Sequence, residues 1–334
     1  MYWLYIILGL FGLFLLYFII SYVISKKLHN AFFSGHYYDD KRINYYNKEE
    51  YGLLFKSLEI NVEGSIIRGG LYNYSSYDNS KIFIVCHGMW SGVSAYMQDV
   101  EFFCKRGYQV LAMNYEGTNN SDGNLNGLGN SLRCLDYIIN YVKNNDELNN
   151  RDIYVYGHSW GGFATLNIPY YHKDIKGILS ISPFISIKQC MKGLLPKGLW
   201  FIIPVYKLIE LNKTKKYSLA NAYKSLSKFK GNIVILHSRN DKVVKFKYNT
   251  NKLMKKLNNA SYLIVDDRDH NPHYSLSSVL ALREYSEKVS KMSQEEATLF
   301  MKTVNFHSLG ELDYDLLDKA LKLLLNGEIS DGRE

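Results

Sequence analysis

A chain of 334 residues, 47% hydrophobic and 22% charged, has ample apolar material for a sizeable core. Its formal net charge of +8 comes without a Lys/Arg block or a nucleic-acid motif. The charge therefore points away from DNA or RNA and towards solubility or an acidic membrane surface. The four cysteines, Cys86, Cys104, Cys134 and Cys190, show no metal-type spacing. Three of them fall inside expected strands or helices, so neither a metal site nor a disulfide scaffold is expected, and a reducing compartment fits.

From Tyr2 to Ser25 no side chain is charged, and the stretch exceeds the ~20 residues that cross a bilayer. Tyr2, Trp3 and Tyr5 at one end and Tyr17 and Tyr22 near the other suit the aromatic belts of the two interfaces. A cleaved signal peptide needs a basic start, a shorter apolar core and a small-residue cleavage site, none of which is present. Residues 1–27 are therefore expected to form a single transmembrane anchor. Lys26 and Lys27 follow it, which by the positive-inside rule places the rest of the chain in the cytoplasm. Residues 28–52, with Asp39, Asp40, Lys41 and Arg42, read as a polar juxtamembrane connector, and 53–334 as the globular domain.

Phe55 to Val62 and Ile66 to Tyr72 alternate around the turn signal Glu63-Gly64, which predicts an antiparallel hairpin. Ile82 to Cys86 is a continuous apolar run, as in a strand buried on both faces, and leads into His87-Gly88-Met89-Trp90. A helix around Tyr96 to Cys104, a strand over Tyr108 to Met113 and a helix through Leu132, Leu135, Ile138, Ile139 and Val142 follow. The run Ile153 to Tyr156 is another buried strand, and it ends in Gly157-His158-Ser159-Trp160-Gly161-Gly162. A serine on so sharp a strand-to-helix turn is strained and needs flanking residues without side chains, here Gly157 and Gly161. The turn exposes the serine hydroxyl and aims the Trp160 N–H where an oxyanion would form.

After a further strand, Gly177 to Ser182, the rhythm breaks between about 185 and 227, a helical, lysine-laced stretch that reads as a cap over the strand ends. Its Leu194, Leu195, Leu199, Trp200, Phe201, Ile202 and Ile203 are expected to offer an apolar lid surface, with Lys192 and Lys197 beside it. Strands then resume at Asn232 to His237, ending in Asn240-Asp241, and at Tyr262 to Val265, ending in Asp266-Asp267-Arg268-Asp269-His270-Asn271-Pro272-His273. Helical segments near 275–292 and 312–325 close the chain. Strands alternating with helices predict a mostly parallel α/β sheet, whose C-terminal loops carry the chemistry.

A serine hydroxyl becomes a nucleophile only when a base takes its proton, and the base needs an acid to fix its tautomer. Ser159, Asp241 and His270 each follow an expected strand, in that order. Asp266 or Asp267 remain alternatives for the acid. His273 competes with His270, which is favoured because it comes sooner after its strand. The His87-Gly88 turn offers the Met89 N–H as second oxyanion donor, while His87, His158 and His237 read as loop-orienting residues.

With His-Gly, Gly-His-Ser-Trp-Gly-Gly, Asn-Asp-x-Val-Val and His-Asn-Pro in this order, residues 53 to 290 resemble the serine α/β-hydrolase superfamily. The resemblance extends to the bacterial group similar to monoacylglycerol lipases and to serine aminopeptidases of the prolyl-iminopeptidase kind. It implies an α/β-hydrolase fold, a Ser159-His270-Asp241 triad and no cofactor or metal. The implied activity is cleavage of carboxylic esters of small molecules or lipids; a peptidase, thioesterase or acyltransferase shares the chemistry, and a silent membrane-binding module is the reading from another class. The chain departs from the group at Glu116-Gly117-Thr118-Asn119-Asn120-Ser121-Asp122-Gly123, where members carry Arg-Gly-x-Gly-x-Ser-x-Gly, so a specific substrate does not carry over.

Overall fold

Eight stretches of the chain fulfil the strand pattern, and in the computed structural model, which describes residues 2–39, 47–305 and 309–327, they join in one sheet. The strands are β1 Leu54–Val62, β2 Ser65–Asn73, β3 Asp78–Cys86, β4 Tyr108–Met113, β5 Asp152–His158, β6 Gly177–Ile181, β7 Asn232–Ser238 and β8 Ser261–Val265. Their order is β1-β2-β4-β3-β5-β6-β7-β8. β2 runs antiparallel to both β1 and β4, and from β4 to β8 every pairing is parallel. Ile84 of β3 pairs with Leu111 on one side and Val155 on the other, which sets the central register.

Alternation within the buried strands feeds two cores. Ile82 and Ile84 point into one, Phe83 and Val85 into the other. The first face is covered by α3 (Asn130–Asn144) and α4 (Trp160–Asn167); the second by α2 (Met97–Lys105) and the C-terminal helix α11 (Tyr314–Asn326). The five apolar positions expected on α3 are all buried, and Leu317, Leu321 and Leu324 give α11 its inward stripe. The cap holds α5 (Ile187–Leu194), α6 (Ile203–Thr214) and α7 (Ala222–Leu226), with 3₁₀ turns between them; α8 (Thr250–Met254) follows β7, and α9 (Leu276–Ser290) and α10 (Gln294–Thr303) precede α11.

The lid surface expected of the cap is only partly there. Ile202 and Ile203 are buried, Leu195 and Trp200 pack against the core, and of the seven apolar residues only Leu194 and Phe201 are exposed. An apolar run beside a core that lacks cover folds inwards, because burial returns more than exposure.

The N-terminal helix also goes beyond the expectation. It runs unbroken from Tyr2 to Phe32 (α1), past residue 27, and is long and apolar enough to cross a membrane. Its last turns do not hang free. Ser21, Ser25 and His29, spaced by four, form a buried stripe against α6. Tyr17 Oη donates to the Phe201 carbonyl (2.9 Å), Ser25 Oγ to that of Ile202 (3.4 Å), and His29 Nε2 faces Glu210 Oε1 at 3.6 Å. Phe33 joins the first core. The polar connector residues Asp40, Lys41 and Arg42 lie outside the described residues.

Candidate active site

β5 delivers the serine. Ser159 sits at φ 56°, ψ −109°, the strained turn expected, and its N–H donates to the Ile181 carbonyl (2.8 Å). The two glycines are required. A Cβ on Gly161 would come within 2.1 Å of the Cys86 carbonyl oxygen, and one on Gly157 within 2.5 Å of the Gly161 carbonyl. Trp160, at the head of α4, is fully buried, and its indole N–H donates to Leu128 O (2.7 Å).

Two further strand ends bring the partners. From the loop after β8, His270 Nε2 lies 2.9 Å from Ser159 Oγ, and its Nδ1 lies 2.8 Å from Asp241 Oδ2 at the end of β7. Asp241 is fixed from all sides: Oδ1 accepts the N–H groups of Val243 and Val244 (2.8 Å each), and His237 Nε2 stands 3.1 Å from Oδ2. Burial alone would raise this carboxyl, but the hydrogen bonds with His237 and His270 outweigh it and hold the group below its ordinary range. Asp266 and Asp267 turn elsewhere, to Arg239 and Asn240. His273 is buried behind His158, and neither ring nitrogen has a hydrogen-bond partner among the described residues; its nearest carboxylate, Asp99, is 3.8 Å away.

His87 and His158 hold loops. Tyr115 N–H donates to His87 Nε2 (3.1 Å), leaving Nδ1–H for the Gly88 carbonyl (2.8 Å), and burial pushes this ring down to about 4. His158 does more. Gly88 N–H donates to Tyr96 Oη (2.9 Å), the Tyr96 hydroxyl meets His158 Nδ1 (2.8 Å), and His158 Nε2 meets the His270 carbonyl (2.9 Å). One chain of hydrogen bonds thus runs from the turn bearing Met89 to the loop bearing His270. Burial first, and the neighbouring His270 ring second, push His158 down to about 3, so it stays neutral and keeps this donor pattern. His158→Ala is expected to lower kcat roughly 10²-fold by loosening the His270 loop, with KM little changed. Steady-state kinetics on a soluble p-nitrophenyl ester measures it, and a change under twofold would reduce His158 to core packing.

Neither the Met89 nor the Trp160 backbone N–H enters a hydrogen bond among the described residues. Over Ser159 and His270 lies a cavity of about 320 Å³, at the small end of the ~300–1,000 Å³ usual for ligand sites. Phe33, Leu128, Phe184, Met191 and Tyr206 are among its walls, and among the described residues no aspartate or glutamate lines it. At its margin stand Trp90, Leu194 and Val243, all exposed. The divergent loop from Glu116 does not line the cavity; Glu116 is paired with Arg133 and accepts from Ser65 Oγ (2.7 Å).

Three contributors escaped the sequence reading. Tyr96 looked like an ordinary helix residue, and nothing local marks its hydroxyl as a relay. Phe32, a wall of the cavity, also stacks on Trp90 with ring centroids 5.5 Å apart. Glu210 is fully buried, and its carboxylate oxygens accept the Leu128 N–H at 3.1 and 3.0 Å. Here a signal existed: Glu210 is the one acidic residue between 185 and 227, amid eight lysines.

The model of the family described as serine aminopeptidase, S33, matches residues 77–258. Among solved structures, an esterase of Pyrococcus furiosus superposes with a TM-score of 0.54 at 20% identity, covering 75% of this chain and 93% of that one. Est1E from Butyrivibrio proteoclasticus, solved with ferulic acid bound, gives 0.53 at 18% identity, covering 70% of this chain and 100% of the other. An alpha-beta hydrolase from Vibrio vulnificus gives 0.51 at 18%, with 72% and 82% covered. At such identities the likeness speaks for the fold. No curated protein matches the chain.

Proposed function

We propose that this hydrolase chain, which belongs to the serine aminopeptidase S33 family, is a membrane-tethered serine hydrolase that cleaves acyl esters through an acyl-enzyme. In this reading Ser159 Oγ attacks the acyl carbon while its proton passes to His270 Nε2. Asp241, kept ionised, holds the His270 tautomer and balances the imidazolium. The Met89 and Trp160 N–H groups receive the oxyanion. The tetrahedral intermediate expels the alcohol, which takes the proton from His270; water then attacks the acyl carbon by the same route and releases the acid and Ser159. The observation that carries the reading is the unbroken pair of contacts, Oγ to Nε2 at 2.9 Å and Nδ1 to Oδ2 at 2.8 Å, beneath an apolar cavity.

The cavity also bears on the substrate. An aminopeptidase must seat a charged α-amine, and a buried cation calls for a carboxylate partner. The cavity supplies none and is walled with apolar side chains instead. An acyl chain suits it, each buried CH₂ contributing about 0.8 kcal/mol. Esters with medium to long acyl chains, such as monoacylglycerols or lysophospholipids, therefore fit better than short peptides. α1 reads as the tether, and Lys26 and Lys27 after it favour a cytoplasmic domain.

A series of p-nitrophenyl esters set beside alanine- and proline-naphthylamides, on the full chain in detergent, checks this. Octanoate is expected to exceed acetate in kcat/KM by more than ten-fold, since six added CH₂ groups bring several kcal/mol even at partial burial. Faster release from the amides, or a preference for acetate, would sink the lipid reading.

A further inference from the structure

The charge that looks spread along the chain gathers on one part of the fold. Between 185 and 227 stand eight lysines and a single acidic residue, Glu210, so the cap carries all but one of the eight net positive charges. Glu210 is itself buried, which leaves the cap exterior with lysines alone as charged groups. The same exterior has an apolar stripe. Phe201, Pro204, Leu208 and Leu211, spaced three, four and three, are all exposed, Leu208 by 54%.

We infer that this face of the cap lies in an acidic lipid leaflet beside α1, with Phe201 its deepest point; the inference rests on α1 being a membrane span. The register of the two helices carries it. Tyr17 reaches the Phe201 carbonyl and packs its ring on the Phe201 ring with centroids 6.3 Å apart. Tyr17 lies five residues before Tyr22 and nine before Lys26, the first charged residue of the chain. At 1.5 Å per residue the contact is about 7 Å deeper than Tyr22 and about 13 Å deeper than Lys26. A cap that touches α1 at that height cannot stay outside a bilayer that α1 crosses.

The polar groups at the contact agree. Two carbonyls at the head of α6, of Phe201 and Ile202, each receive a hydroxyl from α1, those of Tyr17 and Ser25. That is what a site without water demands, since backbone polar groups there must be satisfied within the protein. The lysines around the stripe have long apolar stems that let their ammonium groups reach lipid phosphates. Leu194 of the cap and Phe32 at the end of α1 line the cavity, so its walls include residues of both elements that would meet the leaflet.

The test uses the full chain in nanodiscs containing phosphatidylglycerol. All four native cysteines are buried, so a single introduced one can be labelled with an environment-sensitive fluorophore. Three positions are compared: Phe201→Cys on the cap, Phe11→Cys in α1, and Glu147→Cys on the exposed far end of the domain. Lipids with a nitroxide on the acyl chain are expected to quench Phe11→Cys and Phe201→Cys several-fold and to leave Glu147→Cys bright. If Phe11→Cys is quenched and Phe201→Cys is not, the span holds and the immersed cap falls. If neither is quenched, the span itself falls and the inference with it. Blue-shifted but unquenched emission at Phe201→Cys means a protein cover, such as a second copy of the chain, and also overturns it. Leu208→Cys repeats the reading should Phe201→Cys fail to fold.

Discussion

Ser159→Ala is expected to lower turnover by about 10⁶-fold and to abolish covalent labelling by a fluorophosphonate probe, with the fold intact. The side chain is small and partly exposed, and the elbow is held by backbone contacts, Ser159 N–H to Ile181 O and the close approach of Gly161 to Cys86. Losing one oxygen therefore removes chemistry and little structure. His270→Ala is expected to be nearly as severe, because base and nucleophile act as a unit. Asp241→Asn is the informative third variant. It places an amide against His270 Nδ1 and favours the wrong tautomer, a loss on the order of 10⁴-fold. Labelling that survives in Ser159→Ala would end the assignment, and an active His270→Ala beside a dead His273→Ala would move the base to the other histidine.

The largest effect on stability is expected at Glu210. This carboxyl joins three parts of the fold: it sits on α6 of the cap, accepts the Leu128 N–H from the loop before α3, and faces His29 of α1. Glu210→Ala leaves the Leu128 N–H buried without an acceptor and opens a void against Gly127, where the carboxylate now abuts the backbone. Together these cost about 3 kcal/mol. Glu210→Gln keeps the shape and one acceptor and should cost well under half as much. The difference between Gln and wild type depends on pH. Burial raises Glu210 to about 7 despite the hydrogen bond from Leu128, so the native state holds a proton that the unfolded chain releases near the ordinary carboxylate range. The stability tied to this proton is complete below about 4.5 and is lost as pH rises through 7. The Gln variant does not titrate, so its melting temperature should gain on wild type between those values and level off above them. A difference flat across that range would mean that Glu210 is already ionised at pH 5.

Much of this fold can be read from the chain because its central strands are buried on both faces. Ile82 to Cys86 and Ile153 to Tyr156 leave no polar side to confuse the period, and the Gly-Ser-Gly turn marks where a strand must stop. The polar start of β3, Asp78 to Lys81, was missed because an edge of a strand that meets solvent carries no apolar signal. The order Ser159, Asp241, His270 could be read because each stands at the end of a strand. The choice between His270 and His273 needed the third dimension, since three residues in one loop decide whether a ring faces Ser159 or the back of His158. Least legible was α1. Ser21, Ser25 and His29 mark one face at a spacing of four, but beside an apolar run and the Lys26-Lys27 flank they look like tolerated exceptions, not an interface.

That interface ties the length of α1 to more than the membrane. Its 31 residues span about 46 Å, against a hydrocarbon core of about 30 Å. The surplus, past Lys26, leads into the cavity wall at Phe32. An ordinary single span answers a thinner or thicker bilayer by tilting. Here a tilt would swing Phe32 against Trp90 and α6 against the cavity. With α1 as the proposed tether, bilayer thickness becomes a variable of the cavity, and the substrate range of the proposed esterase would depend on the membrane that holds it.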